Sequence, residues 1–226
     1  MNVTPVRIVS ATRATPETFE RETLLGASLK RLKKDQLELA ISYSNEAGLP
    51  AIYNREIAEC NRQKILVFVH DDVWIDDFFF ALRVSESLDH FDVVGVAGNR
   101  RGGPEQCSWA FLDRPGAWDV RENLSGAVAH EGRGVSWYGP VPQQVKLLDG
   151  LLLAARADVL SQSGVRFDLA YSFHFYDVDF CRSAAEAGLR LGTWPIAVTH
   201  GSGGNFRSKQ WREAAAMYFA KWGARV

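Results

Sequence analysis

Short apolar runs alternate with helical patterns through the first 98 residues of the chain. The runs have the length of β-strands and contain few polar residues, which is typical of strands that are covered on both faces of a sheet. Between them, apolar residues recur every three or four positions, as they do on one face of a helix. This alternation predicts an α/β domain with a mainly parallel, helix-covered sheet. The predicted strands are residues 6–11, 37–44, 64–70 and 91–98, and the predicted helices begin at Pro16 after a Thr15 cap, at Leu49 and near Asp76.

The second half of the chain, residues 99–226, begins with a different pattern. Residues 99–144 are rich in Gly, Pro, Arg and Trp and follow neither a helical nor a strand period. A stretch of this length inside a compact domain is typical of a functional loop or a hairpin, and its aromatic residues argue against a linker. Regular patterns then predict a run at 145–156, a helix near 175–187, a strand at 191–200 and a closing helix at 209–222.

The third apolar run ends abruptly at His70, Asp71 and Asp72. Ligands of open α/β sheets bind at the carboxyl ends of the strands. Carboxylates at such a position suit a divalent cation that bridges the protein to substrate phosphates. The alternative is a solvated turn in which Asp72 caps the next helix.

Three further stretches carry candidate chemistry. Asp177 falls in the first turn of a predicted helix, where the helix dipole favours an ionised carboxylate. Asp179 lies two residues on and therefore faces another side, which argues against a glycosidase pair; we expect it to pair with Arg182. His200 ends a predicted strand and is followed by a Gly-rich turn. Asp149-Gly150 interrupts an apolar run, either as a tight turn or as a contact with substrate.

Composition narrows the function classes. A net charge of −1 over 226 residues argues against a nucleic-acid-binding protein. Three cysteines without a C-x-x-C pair suggest reduced thiols and a cytoplasmic setting. We expect neither a signal peptide nor a transmembrane segment, because no apolar run has the required length. The motifs of dinucleotide oxidoreductases, P-loop NTPases and α/β-hydrolases are absent from the sequence.

Taken in order, these stretches resemble the GT-A glycosyltransferases of family 2. More narrowly, they resemble a bacterial family 2-like subgroup of capsule and cell-surface sugar transferases. The resemblance implies a single GT-A domain, with a nucleotide-binding half at 1–98 and an acceptor and catalytic half at 99–226. The residues that carry it are Tyr53-Asn54, FVHDDV at 68–73, Asp149-Gly150, FHFYDVDFC at 173–181, THGSGG at 199–204 and Lys221-Trp222.

The resemblance also implies roles for individual residues. Asp72 matches the second acidic residue of the family's D-x-D metal motif, and His70 stands where the first Asp is usual. Asp177 matches the catalytic base of the E-D motif, in which Tyr176 replaces the Glu, and His200 matches a histidine that completes the metal site in some members. The remaining implied contacts are Thr12, Arg13, Ser44, Asn45, Asn54, His70, Asp71 and Asp72 on the nucleotide-sugar donor, and Asp149, Gly150 and Trp137 on the acceptor side.

The implied activity is transfer of a sugar from a nucleotide-diphosphate sugar to an acceptor hydroxyl. It would proceed with inversion and depend on a divalent cation, Mn2+ or Mg2+. The acceptor would be a glycan, a lipid-linked sugar or a protein in surface polysaccharide synthesis, and the enzyme would be cytoplasmic or peripheral at the inner face of the membrane. Two alternatives remain open: a non-catalytic sugar- or nucleotide-binding module, and a metal-dependent hydrolase that uses His70, Asp72, His174 and His200.

Overall fold

The computed structural model describes residues 4–32, 37–203 and 206–223. Gly204, which belongs to the Gly-rich turn, lies outside these ranges. Within them, no helix is long and apolar enough to cross a membrane. The strands are β1 (Val6–Ala11), β2 (Leu37–Ser42), β3 (Ile65–Val69), β4 (Val73–Ile75), β5 (Val93–Gly95), β6 (Ala97–Asn99), β7 (Leu124–His130), β8 (Gly134–Gly139), β9 (Gln143–Val145), β10 (Leu147–Leu148), β11 (Leu152–Arg156), β12 (Leu191–Thr193) and β13 (Val198–His200).

Seven helices cover the strands in the described part of the chain. The closing helix has the predicted bounds, and the helix that carries Asp177 begins one residue later than predicted. The first helix does not begin at Pro16. Residues 16–18 form a turn, and two short helices follow, the second of which is capped by the Thr23 side chain. The helices are α1 (Phe19–Glu22), α2 (Leu24–Leu29), α3 (Leu49–Glu59), α4 (Phe80–His90), α5 (Ala157–Ser163), α6 (Tyr176–Glu186) and α7 (Lys209–Trp222).

The strands form two sheets. The first has seven strands in the order β2-β1-β3-β11-β5-β12-β9, and the second has β10-β6-β7-β13-β4 with β8 paired to β7. The α/β class is confirmed, but the expected mainly parallel sheet is wrong. Parallel pairing holds for β2-β1-β3 and for β5-β12, whereas β11 runs antiparallel to both of its neighbours, β3 and β5. An antiparallel neighbour needs no helical crossover, and the chain between β5 and β11 forms β6 to β10 instead.

Among the described strands, the chain passes between the two sheets at seven places. The passages follow β3, β4, β5, β8, β9, β10 and β12. The predicted strands at 91–98 and 191–200 are therefore each two strands, one in each sheet. The polar breaks at residues 70–72 and 149–150 are two of the same crossings. At these crossings the backbone is paired with neither sheet, because one strand has ended and the next has not begun. Polar side chains can therefore be accommodated between two apolar strands.

Residues 99–144 form a folded excursion that ends in the β7–β8 hairpin. A buried carboxylate holds its first part in place. Asp119 accepts hydrogen bonds from Arg101 at 2.8 and 2.9 Å and from Asn99 at 3.0 Å. Burial opposes ionisation of Asp119, but these donors prevail and lower its pKa below the ordinary value. The excursion is a hairpin with a pinned loop, which confirms one of the two predicted forms.

The closing helix is fastened to the helix that carries Asp177. Asp179 on α6 is fully buried; its Oδ1 lies 2.8 Å from Lys221 Nζ and accepts a hydrogen bond from Trp222 Nε1 at 2.7 Å. The expected pairing of Asp179 with Arg182 is wrong. The Arg182 guanidinium instead donates to the Tyr218 hydroxyl and to the Gly103 carbonyl. Lys221 and Trp222 thus form a clasp between α7 and α6.

Candidate active site

Strand pairing between β4 and β13 brings the predicted metal ligands together. In the antiparallel register, His200 lies opposite Val73, the first residue of β4. Asp72 directly precedes Val73 in the sequence. The Gly201 amide donates to the Asp72 carbonyl at 2.8 Å, and His200 Nε2 lies 3.4 Å from Asp72 Oδ2. Asp72 and His200, which are more than a hundred residues apart in sequence, therefore belong to one site.

His70 completes a group of three possible metal ligands. One ligand atom each from His70, Asp72 and His200 lies within 4.8 Å of the others. Asp72 Oδ1 is buried and has no hydrogen-bond partner among the described residues. A buried carboxylate oxygen without a donor is costly unless a cation or another group satisfies it. The three residues therefore fit a divalent cation. His174, which the hydrolase alternative requires as a fourth ligand, is not part of this group in the described structure.

Burial and the charges of neighbouring residues shift the pKa values of all three residues in this group. Burial opposes ionisation of Asp72, but the hydrogen bond and charge of His200 prevail and lower its pKa to about 2. Burial likewise opposes protonation of His200, and Asp72 outweighs it and raises the His200 pKa. Burial lowers the pKa of His70 to about 4. At neutral pH the group therefore has an ionised carboxylate and a neutral His70.

Asp177 lies in the first turn of α6, as predicted, but its electrostatics differ from the prediction. Its carboxylate is partly buried, lines the cavity described below, and accepts a hydrogen bond from the Gly150 amide at 3.1 Å. Burial, together with the charge of Asp149, raises the Asp177 pKa to about 7. The expectation that the helix dipole keeps Asp177 well ionised near neutral pH is therefore wrong. A dipole contribution is worth about 0.3–1 kcal/mol at exposed positions, which is less than the desolvation that this rise in pKa represents.

Gly150 has no room for a side chain. A Cβ atom there would lie 2.5 Å from the Tyr176 hydroxyl and 2.7 Å from Asp177 Cβ. Glycine thus allows the start of α6 to pack directly on the β10–β11 crossing, which explains why Asp149-Gly150 interrupts an apolar run. Asp149 beside it accepts from the Leu151 amide at 3.1 Å, and burial raises its pKa.

A cavity of about 390 Å3 joins these groups. His70, His200, Asp149, Gly150 and Asp177 all line it. The cavity also has an aromatic wall, which comes from the 99–144 excursion and from the segment around the start of α7. Its aromatic members are Trp109, Phe111, Trp118, Tyr138, Phe206 and Trp211.

Trp137 is the acceptor-side prediction that the structure contradicts. Along β8, Ser136 and Tyr138 line the cavity with Asp177, whereas Trp137 lines a separate cavity of about 290 Å3. The reason is the strand period, because neighbouring side chains on a strand point to opposite faces. Tyr138 and Trp118 occupy the face predicted for Trp137, with ring centroids 6.0 Å apart and nearly parallel rings. The alternation in GVSWYG separates Trp137 from Tyr138 but does not say which of them faces the site.

The predicted nucleoside contacts gather at the ends of β1 and β2. The Asn45 amide donates to the Thr12 carbonyl at 2.8 Å, and the Ser44 amide donates to Ala14 at 2.9 Å. Arg13 and Ser44 are exposed, so their side chains are available to a ligand. Asp71 lies near Thr12, and burial raises the pKa of its carboxyl group.

Asn54 has a different role from the one predicted. Its amide donates to the Phe167 carbonyl at 2.7 Å and accepts from the Phe167 amide at 2.9 Å. Both polar groups of the Asn54 side chain therefore bind the backbone of Phe167. Asn54 is not among the residues that we assign to binding of the nucleotide-sugar donor.

Sequence reasoning missed three polar residues that line the cavity. His130 ends β7, Arg133 lies in the β7–β8 turn, and Tyr176 begins α6. Only Tyr176 carried a signal, since it stands beside Asp177 in place of an expected Glu. His130 and Arg133 lie in the irregular excursion, where no periodicity indicates which side chains face the site.

Comparisons with known proteins identify a family and a fold for the chain. A family model described as "Glycosyltransferase like family" matches residues 29–212. No curated protein matches the sequence. Among solved structures, the fold is similar to GalNAc-T7 with UDP, GalNAc and Mn2+, at 12% identity and a TM-score of 0.57, covering 94% of this chain and 48% of that one. It is also similar to S. aureus TarS in complex with UDP, at 14% identity and a TM-score of 0.56, covering 96% and 64%.

A third similar structure is a mannosyltransferase, PcManGT from Pyrobaculum calidifontis, in complex with GDP-Man and Mn2+. It has 12% identity and a TM-score of 0.53, and the match covers 96% of this chain and 63% of that one. The chain thus spans between about half and two thirds of the length of these three proteins. At such identities the likeness shows a common fold, and it confirms the predicted GT-A fold.

Proposed function

Since the chain belongs to the glycosyltransferase-like family, we propose that it transfers a sugar from a nucleotide-diphosphate sugar to an acceptor hydroxyl, with inversion at the anomeric carbon. Asp177 acts as the base, and His70, Asp72 and His200 hold a divalent cation. The observation that carries this proposal is that His70, His200 and Asp177 line one cavity. The cation that stabilises the diphosphate and the carboxylate that accepts the proton can therefore act on one nucleotide sugar and one acceptor.

Asp177 is suited to general-base catalysis by its environment. A base is most effective when its pKa lies near the working pH, and burial places the Asp177 pKa at about 7. The Gly150 amide donates to Oδ2 and so orients the carboxylate, which leaves Oδ1 for the acceptor. The acceptor oxygen attacks the anomeric carbon, the bond from that carbon to the diphosphate breaks, and the acceptor proton passes to Asp177. Such help contributes about 10²–10⁴ in rate.

We propose that the cation is Mn2+ rather than Mg2+. Two of its three ligands are imidazoles, whereas Mg2+ takes oxygen ligands in near-ideal octahedral geometry. Two of the three similar folds contain Mn2+. When bound, the cation stabilises negative charge on the departing nucleoside diphosphate.

We further propose that the ends of β1 and β2 bind the nucleoside through Thr12, Arg13, Ser44 and Asn45, and that the aromatic wall of the cavity binds the acceptor. Aromatic faces pack against the apolar faces of sugar rings, and Trp118 is 52% exposed toward such a partner. The acceptor classes are those that the resemblance implies, namely a glycan, a lipid-linked sugar or a protein in surface polysaccharide synthesis.

The proposal is tested by thermal shift with UDP or GDP, with and without Mn2+. A ligand at a hundredfold excess over its dissociation constant stabilises by about 2.7 kcal/mol, which is about 5–10 °C for a domain of this size. We expect this shift to require Mn2+ and to disappear in Asp72→Asn.

Asp76→Asn is the matched control. Asp76 accepts from Thr199 at 2.8 Å and so touches the same pair of strands, but it lies outside the metal group. The control should keep the Mn2+-dependent shift. A shift that does not depend on Mn2+, or one that survives in Asp72→Asn, contradicts the metal assignment.

A further inference from the structure

The Tyr176 hydroxyl forms two hydrogen bonds, and together they fix the position of a proton on His70. The hydroxyl lies 2.8 Å from the Gly150 carbonyl oxygen and 2.8 Å from His70 Nε2. Tyr176 is buried at the start of α6, and its partners His70 and Gly150 lie at two of the crossings between the sheets.

The direction of each bond follows from the donors available. A carbonyl oxygen only accepts, so the single hydroxyl proton of Tyr176 must point to Gly150. The hydroxyl has then no proton left for His70 and can only accept from it. Nε2 of His70 must therefore be the protonated nitrogen. In a neutral imidazole the other nitrogen, Nδ1, then carries a free lone pair.

We propose that Tyr176 is a positioning residue that holds His70 in the Nε2-protonated tautomer and thereby makes Nδ1 the metal-binding atom. The proposal rests on the proposed metal site of the transferase. Metal-ligating histidines generally donate their other ring N–H to an acceptor that sets the tautomer and the ring orientation. Here the acceptor is a neutral phenol at a position where the family resemblance leads us to expect a Glu.

Two further contacts make this arrangement rigid. The His70 ring stacks on Phe173 with centroids 5.6 Å apart and an interplanar angle of 29°, which restricts rotation of the ring. Gly150 leaves the space that the Tyr176 hydroxyl occupies, because a Cβ there would lie 2.5 Å from it. The glycine carbonyl thus receives the proton of Tyr176 while the glycine amide orients Asp177. One residue thereby positions both a proposed metal ligand and the proposed base.

The first test needs no metal. A long-range 1H–15N NMR spectrum of histidine-labelled, metal-free protein distinguishes the two neutral tautomers, and His70→Gln assigns the His70 signals by their loss. We expect His70 to be protonated at Nε2 alone. A spectrum with His70 protonated at Nδ1, or with both tautomers in exchange, overturns the proposal whatever the protein catalyses.

The second test compares Tyr176→Phe with Tyr53→Phe. The Tyr53 ring is also buried, 5.9 Å from that of Tyr176, and its hydroxyl has no hydrogen-bond partner in the described structure. Loss of a partner behind a ligand usually weakens metal binding about 10–100-fold. We expect the Mn2+ dissociation constant, measured by electron paramagnetic resonance with UDP present, to rise by that factor in Tyr176→Phe. Tyr53→Phe should bind Mn2+ like the unaltered protein.

Equal Mn2+ affinity in Tyr176→Phe and the unaltered protein overturns the proposal, even if the variant unfolds at a lower temperature. Failure of the proposed function looks different. In that case the unaltered protein itself does not bind Mn2+ with UDP, while the NMR spectrum still reports the His70 tautomer.

Discussion

Replacing Asp177 with Asn should abolish most of the transfer activity and make the protein more stable at the same time. Asparagine has nearly the same shape and can still accept the hydrogen bond that Gly150 donates. It cannot take a proton from the acceptor hydroxyl, and it carries no charge that must be buried. The same change therefore removes the base and the cost of ionising it.

The size of the gain follows from the raised pKa. The pKa of Asp177 moves from an ordinary value of 3.8 to about 7 in the folded protein. This difference of about three pH units corresponds to about 4 kcal/mol, an upper limit for the penalty of holding the ionised group inside. Because the folded state binds this proton more tightly than the unfolded state, the contribution of Asp177 to stability falls as the pH rises from about 4 to about 7. Above pH 7 the full penalty is present.

Urea unfolding at pH 5 and pH 8 measures this effect. We expect Asp177→Asn to raise the free energy of unfolding at pH 8 by about 1–4 kcal/mol, with a smaller gain at pH 5. Turnover should fall by about 10²–10⁴ with donor affinity nearly unchanged, because the lost interaction is made in the transition state. A variant that is less stable than the unaltered protein at pH 8, or one that retains full turnover, would refute the reasoning.

Three other changes probe the surroundings of the site. Asp149→Asn removes the like charge beside Asp177, so the rise of activity with pH should move to lower pH in a pH–rate profile; an unmoved profile contradicts the coupling. Lys221→Met leaves the carboxylate of Asp179 buried without its cation and should cost about 3–5 kcal/mol in urea unfolding, whereas an exposed pair such as Lys209–Glu213 should cost less than about 1 kcal/mol. Trp118→Ala should raise the KM for the acceptor while leaving the shift with UDP and Mn2+ intact, and Trp137→Ala, in the other cavity, should change neither; equal effects from the two variants would contradict the assignment of the aromatic wall.

Periodicity predicted the elements whose environment is uniform along their length. Helix α7 has one buried stripe and a Ser208 cap, and its bounds are the predicted ones. The run that forms β3 is buried at every position, and it was also recognised. An apolar run indicates a buried strand but not the sheet that the strand joins. The runs at 91–98 and 191–200 therefore each predict one strand, whereas each forms two strands in different sheets.

The site was predictable where the chain offered residue types and strand ends. The polar stop after β3 indicated Asp72, and the order of motifs indicated His200 and Asp177. The energetics were not predictable, because the pKa of Asp177 depends on burial and on Asp149, which lies 28 positions earlier in the sequence. The partner of Asp179 was missed for a similar reason. Local spacing favoured Arg182, whereas the fold supplies Lys221 and Trp222 from the last helix.

The clasp between α7 and α6 has a consequence for synthesis on the ribosome. A growing chain emerges from its amino end, and the segments that form β1, β2 and β3 appear long before residues 221 and 222. Until those two residues emerge, Asp179 lacks the partners that allow its carboxylate to be buried, and the first turn of α6 cannot settle into its final place. A chain that stops before Lys221 would therefore keep the ends of β1 and β2 without a correctly seated Asp177.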